Sequence, residues 1–300
     1  MAGGGKTKGK PKPPWRSALE ARLIHVLFTV PRLLPFRTRC SVVAWLCGRI
    51  VGPMARYDRR VEANLRHVCP DLTSSEIARL KRDVPANVGR MLTELAAGAE
   101  FLSILKDEPL QGPGVSALDE AAEAHRPIIV VSGHFGNFDA MRGALALRGH
   151  KIGAIYRPLD DPELETAFRD MLTAISEPIF ARGRAGLGQM LRHLRQGNAV
   201  AILIDQYVHG APELTFFGKP APTSLSAAEM ALKYNALLVP VYGIRRPDKG
   251  FHLVVEEPIP HSDPMTMTQS LNDSLEARVR EHMDQWLWIH RRWKTDAVDA

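Results

Sequence analysis

PIIVVSGHFGNF, residues 127–138, is a short apolar, β-branched run that ends in glycines. Such a run suits a strand buried on both faces, because neither face alternates toward polar residues. The style recurs in AVAILID (199–205) and LLVPVYGI (237–244), and helix-like stretches lie between, ELETAFRDMLTAI (163–175) and GLGQMLRHLRQG (186–197), the latter stopped by Gly197. Strands separated by helices predict an α/β fold with parallel pairings. FHLVVEEPI (251–259) adds a strand, hairpin-linked through PDKG. Upstream, residues 57–106 read as helical, with Ser74 or Ser75 as a helix cap and Glu76 in the first turn. Downstream, Leu271, Leu275, Val279, Met283 and Trp286 recur at spacings of four and three and predict one amphipathic helix over 271–293.

In an open α/β sheet, ligands bind just beyond the carboxyl ends of strands, and IIVVS runs directly into Gly133, His134, Phe135, Gly136, Asn137, Phe138 and Asp139. Gly133 and Gly136 permit a tight path, and Asn137 can cap the following helix. The spacing His-x4-Asp lets one turn bring the Asp139 carboxylate toward the His134 imidazole. A carboxylate on one ring nitrogen fixes the tautomer and leaves the other free to take a proton from a hydroxyl. With no serine in the pattern, the substrate's own oxygen becomes the nucleophile, and acyl transfer without an acyl-enzyme follows.

The formal net charge of +6 and pI near 9.3 suit an anionic partner. Cys40, Cys47 and Cys69 form no C-x-x-C pair, and Cys40 and Cys47, seven apart, read as buried structural thiols. Residues 1–16 form a Lys-rich, Gly/Pro-rich arm expected to be disordered. Its GGGKT is not a phosphate loop, which needs a glycine five positions before Gly5. Residues 17–56 are apolar but broken by Pro31, Pro35, Arg37, Arg39 and Arg49, short of the ~18 uninterrupted apolar residues of a spanning helix. They are read either as an interfacial, membrane-associating helical hairpin or as helices packed on the protein's own core. No signal-peptide cleavage pattern is read. Trp286, Trp288, His290, Arg291, Arg292, Trp293 and Lys294 form an aromatic and basic patch, read as membrane-interface or structural packing rather than nucleic-acid binding.

VVSGHFGNFDA resembles the first signature block of the lysophospholipid acyltransferase superfamily. Later blocks follow the order of its lipid A biosynthesis branch: IYRP (155–158), Asp205-Gln206, FFGKPAPTS (216–224), VPVYG (239–243) and WLWIHRRWK (286–294), with RRVEANLRHVCPDLTSSE (59–76) upstream. The resemblance covers roughly residues 20–294. It implies a glycerolipid acyltransferase-like, mixed and largely parallel sheet flanked by helices, an acyltransferase domain over 57–294 and a tail at 295–300. By resemblance His134 and Asp139 are the catalytic dyad, although the lipid A branch commonly carries Glu where Asp139 stands. Arg157 matches a basic residue that meets acceptor phosphate or sugar, which the two-pronged guanidinium suits. Asp205 and Gln206 lie at a strand end, where Asp205 could hold Arg157, bind an acceptor hydroxyl or form a structural ion pair. Phe217, Gly218 and Thr223, with Phe216, would form a loop against acyl chain or acceptor, although for the two phenylalanines alone core packing is the commoner explanation.

The donor so implied is a thioester on acyl carrier protein or coenzyme A, the acceptor a lipid hydroxyl, and the place the cytoplasmic face of the cell inner membrane. No metal or cofactor is called for. The Asp at 139 keeps several acceptors open: a lipid A precursor, a lysophospholipid, an ornithine lipid or a glycosylated phospholipid. A His/Asp lipid hydrolase and a non-catalytic membrane-binding protein are the rival functions.

Overall fold

The computed structural model describes residues 33–248 and 250–293. The arm 1–16, residues 17–32 of the apolar segment, Lys294 and the tail 295–300 lie outside them. Helix α1 (Phe36–Leu46) runs on through a π stretch at Cys47–Val51 and a turn at Gly52–Met54. Its inner face packs on the long helix α3 (Ser74–Ala97), so closely that a Cβ on Gly48 would meet the Arg82 carbonyl at 2.6 Å and one on Gly89 would meet Cys47 Sγ at 2.7 Å. Burial in this seam pushes the Cys47 thiol up to about 11, as expected of a structural thiol. The outer face leaves Trp45, Ile50 and Met54 in solvent, Met54 at 75%. No helix among the described residues is long and apolar enough to cross a membrane.

Helix α2 (Tyr57–Val68) precedes α3, whose start is a capping box. Thr73 Oγ1 accepts from the Glu76 amide and Glu76 Oε2 accepts from the Thr73 amide. The cap is therefore Thr73 and not Ser74 or Ser75, because only from position 73 does the carboxylate fall at the third helical residue. Helix α4 (Ala99–Leu105), strand β1 (Leu110–Gln111) and helix α5 (Val115–Glu123) lead into strand β2 (Ile128–Ser132), and helix α6 (Phe138–Leu147) follows the His134 loop.

Then come β3 (Ile152–Tyr156), α7 (Pro162–Ile175), β4 (Ile179–Ala181), α8 (Arg184–Arg195) and β5 (Ala199–Leu203). A two-stranded hairpin of β6 (Glu213–Phe216) and β7 (Lys219–Pro222) precedes α9 (Ser226–Tyr234), β8 (Leu237–Arg245), β9 (Phe251–Val255) and α10 (Pro264–Glu281). The main sheet runs β1-β9-β8-β2-β5-β3-β4 and is parallel except between β8 and β9, the expected hairpin. The mixed, largely parallel α/β sheet is thus present.

β2 is central and wholly buried. Its side chains alternate, Ile128 and Val130 into a core under α4–α7, Ile129 and Val131 into one under α8–α10. A third core joins α2 and α3 to Phe135, Phe216, Phe217 and the C-terminal tryptophans. The amphipathic helix expected at 271–293 instead spans 264–281, capped by Asp263 with Pro264 in its first turn. Leu271, Leu275 and Val279 lie on it, whereas Met283 enters a 3-10 turn and Trp286 an extended segment that bridges Phe135. That bridge draws the chain out of the helix.

Candidate active site

β2 delivers its last residues to a loop where backbone space is scarce. Gly136 has φ +58°, and a Cβ there would meet the Gly243 carbonyl of β8 at 2.1 Å; one on Gly133 would meet Leu275 at 2.6 Å. Asn137 caps α6 by accepting from the Asp139 amide at 3.0 Å, as the sequence suggests, and its amide group donates to the buried Glu94 at 2.8 Å. The C-terminal residues strap this loop down. The Gly136 amide donates to the Gln285 carbonyl at 2.9 Å and the Leu287 amide to the His134 carbonyl at 2.9 Å.

His134 is thereby held at the carboxyl end of β2 with its side chain 17% exposed. Its Nδ1 lies 2.8 Å from Asp205 Oδ1, and its backbone amide donates to Asp205 Oδ2 at 2.7 Å. The indole Nε1 of Trp286 donates to that same Oδ2 at 2.8 Å. Asp205 follows β5, the parallel neighbour of β2, and is fully buried. Burial alone would raise its carboxyl, but the charge and hydrogen bonds of His134, with His290, hold it well below the usual carboxylate range. On the other side of the ring, His134 Nε2 is 3.4 Å from Gln206 Nε2. The His290 ring meets His134 edge-on at 4.6 Å, and burial, then the charge of His134, push His290 down to about 4. His290 is therefore neutral at pH 7.

Asp139 does not hydrogen-bond to the His134 ring in this arrangement. It stands in the first turn of α6, buried, with Oδ1 accepting from Arg142 Nε at 2.8 Å and Oδ2 without a partner. Arg142, also buried, donates further to the carbonyls of Ser176 at 2.8 Å and Leu172 at 2.9 Å. His134 and Asp139 nonetheless line one cavity of about 640 Å³. Buried Val130, Met141 and Leu172 contribute to its wall, and so do exposed Arg157, Arg182 and Gln206. Arg157 is 73% exposed and 3.7 Å from Asp160. Asp205 does not hold it.

Phe217, Gly218 and Thr223 are not brought to this cavity. Phe216 and Phe217 stack among Trp286, Trp288 and Trp293, with Phe217 and Gly218 at positive φ forming the turn of the β6–β7 hairpin. Thr223 is buried and accepts from Arg292 Nη2 at 2.6 Å. Ser224 and Ser226, just beyond, line the cavity instead. Four members of the C-terminal patch are likewise core and not membrane interface, since Trp286, Trp288, Trp293 and Arg292 are at most 1% exposed, whereas Arg291 is exposed. Sequence reasoning missed His290 and Trp286 as members of the site, since their proximity to His134 arises only through the strap.

The profile of the bacterial lipid A biosynthesis acyltransferases matches residues 16–295. A lipid A biosynthesis lauroyltransferase of Escherichia coli (strain K12) is 25% identical over 290 residues, covering 94% of this chain and 92% of the relative. Lipid A biosynthesis acyltransferase 2 of Shigella flexneri is 23% identical over 262 residues, 83% of this chain and 81% of its own. A phosphatidylinositol mannoside acyltransferase of Mycobacterium tuberculosis (strain CDC 1551 / Oshkosh) is 22% identical over 192 residues, 62% of this chain and 61% of the relative. With a family match across nearly its whole length, the chain belongs to the bacterial lipid A biosynthesis acyltransferases and is an acyltransferase.

Proposed function

We propose that this acyltransferase moves a fatty acyl group from a thioester, on acyl carrier protein or coenzyme A, to a hydroxyl of a lipid A precursor. A His/carboxylate dyad does the chemistry, with no acyl-enzyme. His134 Nε2 takes the acceptor's hydroxyl proton as its oxygen attacks the thioester carbonyl; the C–S bond breaks, and the proton passes to the leaving thiolate. The observation that carries this reading is His134 at a strand end, in a cavity walled by buried aliphatic side chains and flanked by exposed Arg157 and Arg182. Such walls suit an acyl chain, and such arginines suit a phosphorylated head group.

The test is transfer by purified protein from dodecanoyl-acyl carrier protein or dodecanoyl-coenzyme A to a lipid A precursor, read by mass spectrometry. Donor hydrolysis with no acylated lipid would favour a hydrolase. Because one relative is named for a phosphatidylinositol mannoside, that lipid is the second acceptor to try. Selective acylation of it would move the assignment.

Within this reading Arg157 binds the acceptor. Arg157→Ala is expected to raise acceptor KM about 10- to 100-fold, the scale of one charge-assisted hydrogen bond, and to leave donor hydrolysis unchanged. Lys restores part, lacking the two-pronged geometry. Equal impairment toward an acceptor stripped of phosphate would remove the phosphate assignment.

The reading places the protein on the cytoplasmic face of the inner membrane. Its support is the outer face of the N-terminal helical segment, where Trp45, Ile50 and Met54 stand exposed beside Arg49. Trp45→Ser with Met54→Ser in the full chain is expected to weaken sedimentation with anionic vesicles at least about tenfold, since each buried side chain contributes roughly 1.5–3 kcal/mol. Undiminished binding at high salt would disprove this contact.

A further inference from the structure

We infer that Asp205, clamped by Trp286, and not the motif acid Asp139, is the carboxylate that positions His134 for proton transfer. The inference rests on His134 being the base. Every hydrogen bond around the two acids argues the same way. Asp205 Oδ1 receives His134 Nδ1 at 2.8 Å, while Oδ2 receives the His134 backbone amide and the Trp286 indole at 2.7 and 2.8 Å. No Lys or Arg forms an ion pair with Asp205 among the described residues; the hydrogen bonds to its buried charge come from His134 and the Trp286 indole, and the buried Arg292 reaches it only as a more distant charge. A carboxylate so placed favours positive charge on the imidazole it faces. In proton transfer the imidazolium is that charge. Asp139, by contrast, lines the cavity but is already neutralised by Arg142, and its buried Oδ2 has no partner and no bond to the ring.

The two donors on Oδ2 make the inference sharply testable. In Asp205→Asn the amide oxygen must occupy the Oδ2 position, because both the His134 amide and Trp286 Nε1 are donors and an NH₂ there would face two N–H groups. The amide NH₂ then takes the Oδ1 position and points at His134 Nδ1. Nδ1 must accept, so the ring proton moves to Nε2, the nitrogen that has to receive the acceptor's proton. The fold is retained, since the oxygen keeps both its donors, but the base faces the wrong way.

The experiment compares wild type, His134→Ala, Asp205→Asn, Asp139→Asn and Trp286→Phe in full-length protein, with folding checked by circular dichroism. The rate is dodecanoyl transfer to the lipid A precursor, and the tautomer is read from ¹⁵N-histidine NMR. Asp205→Asn is expected to lose kcat by on the order of 10⁴-fold, the scale seen when the acid of a catalytic triad is amidated, with little change in KM. Its His134 signal should move from the Nδ1–H to the Nε2–H form, a change that a merely structural role would not produce. Asp139→Asn should leave the Nδ1–H form in place. Trp286→Phe keeps the carboxylate and an aromatic ring, so the tautomer should stay while kcat falls about tenfold through looser alignment.

His134→Ala separates the two levels of the argument: near wild-type transfer by that variant would end the reading of His134 as base. Loss in His134→Ala with near wild-type kcat and an unchanged tautomer in Asp205→Asn would overturn the role of Asp205 alone. If Asp205→Asn does not fold, an unaltered kcat in Trp286→Phe, or a tautomer switch in Asp139→Asn, overturns it equally.

Discussion

His134→Ala is expected to lower acyl transfer by on the order of 10²–10⁴-fold, the contribution of a positioned general base. The ring is partly exposed at the cavity, so little core packing goes with it. Something else does change. Without His134 the buried Asp205 carboxylate loses its main compensation, which is the charge and hydrogen bond of the imidazole. A modest loss of stability, about 1–3 kcal/mol, is expected, together with uptake of a proton by that carboxyl.

The sign can be followed with pH. In the wild type a depressed carboxyl contributes stability above the ordinary carboxylate pKa, and that stability drains away as pH falls toward the folded value. In His134→Ala burial prevails and the depression is gone, so the melting temperature should fall less steeply below about pH 4. Transfer assays and melting curves check the two parts separately. Near wild-type transfer rates would mean that His134 is not the base.

Arg142→Met is the change expected to harm the fold most. One guanidinium satisfies Asp139 Oδ1 and two carbonyls at the C-terminal end of α7, Leu172 and Ser176, and it is 2% exposed. Methionine fills much of the volume but leaves a buried carboxylate and the Ser176 carbonyl without donors, and the Leu172 carbonyl with only the 3.4 Å bond from the Ser176 amide. Breaking a buried pair from one side costs about 3–5 kcal/mol. For a chain of this size the melting temperature should drop by about 10 °C. Asp139→Leu with Arg142→Met should recover much of that loss, because the double variant buries no lone charge. If thermal unfolding showed the double variant no better than Arg142→Met, the cost would lie in the α7 carbonyls and not in the charge.

The sheet was legible because its central strands are nearly uniform in chemistry. IIVVS, AVAIL and LLVPVYGI carry β-branched side chains buried on both faces, which only strands between two helical layers require. β1 and β4 have two and three residues, too few for any period to register. The FFGKP stretch reads as a loop in sequence, with core packing the commoner reading of its two phenylalanines, and their packing against Trp288 and Trp293 shows them as core.

The site was legible where its geometry is local. The strand end, the glycines and the Asn137 cap all follow from a dozen adjacent residues. The partner of His134 is not local: a spacing of five invites Asp139, whereas β2 and β5 lie side by side and bring Asp205 across 71 residues. A tryptophan pattern likewise shows that an aromatic surface exists, not which way it faces. The tertiary fold turned Trp286 inward to donate to Asp205.

The strap of residues 285–287 over the His134 loop makes completion of the site depend on completion of the fold. Its two backbone bonds, Gly136 to Gln285 and Leu287 to His134, close contacts across about 150 positions of chain. Contacts of such sequence separation carry a loop-closure penalty that the packing of the rest of the fold must offset. A chain that has paired its sheet but not yet seated the strap holds a histidine with an unset loop and a carboxylate lacking its indole donor. The pocket around His134 is therefore complete only in molecules whose widely separated parts have met.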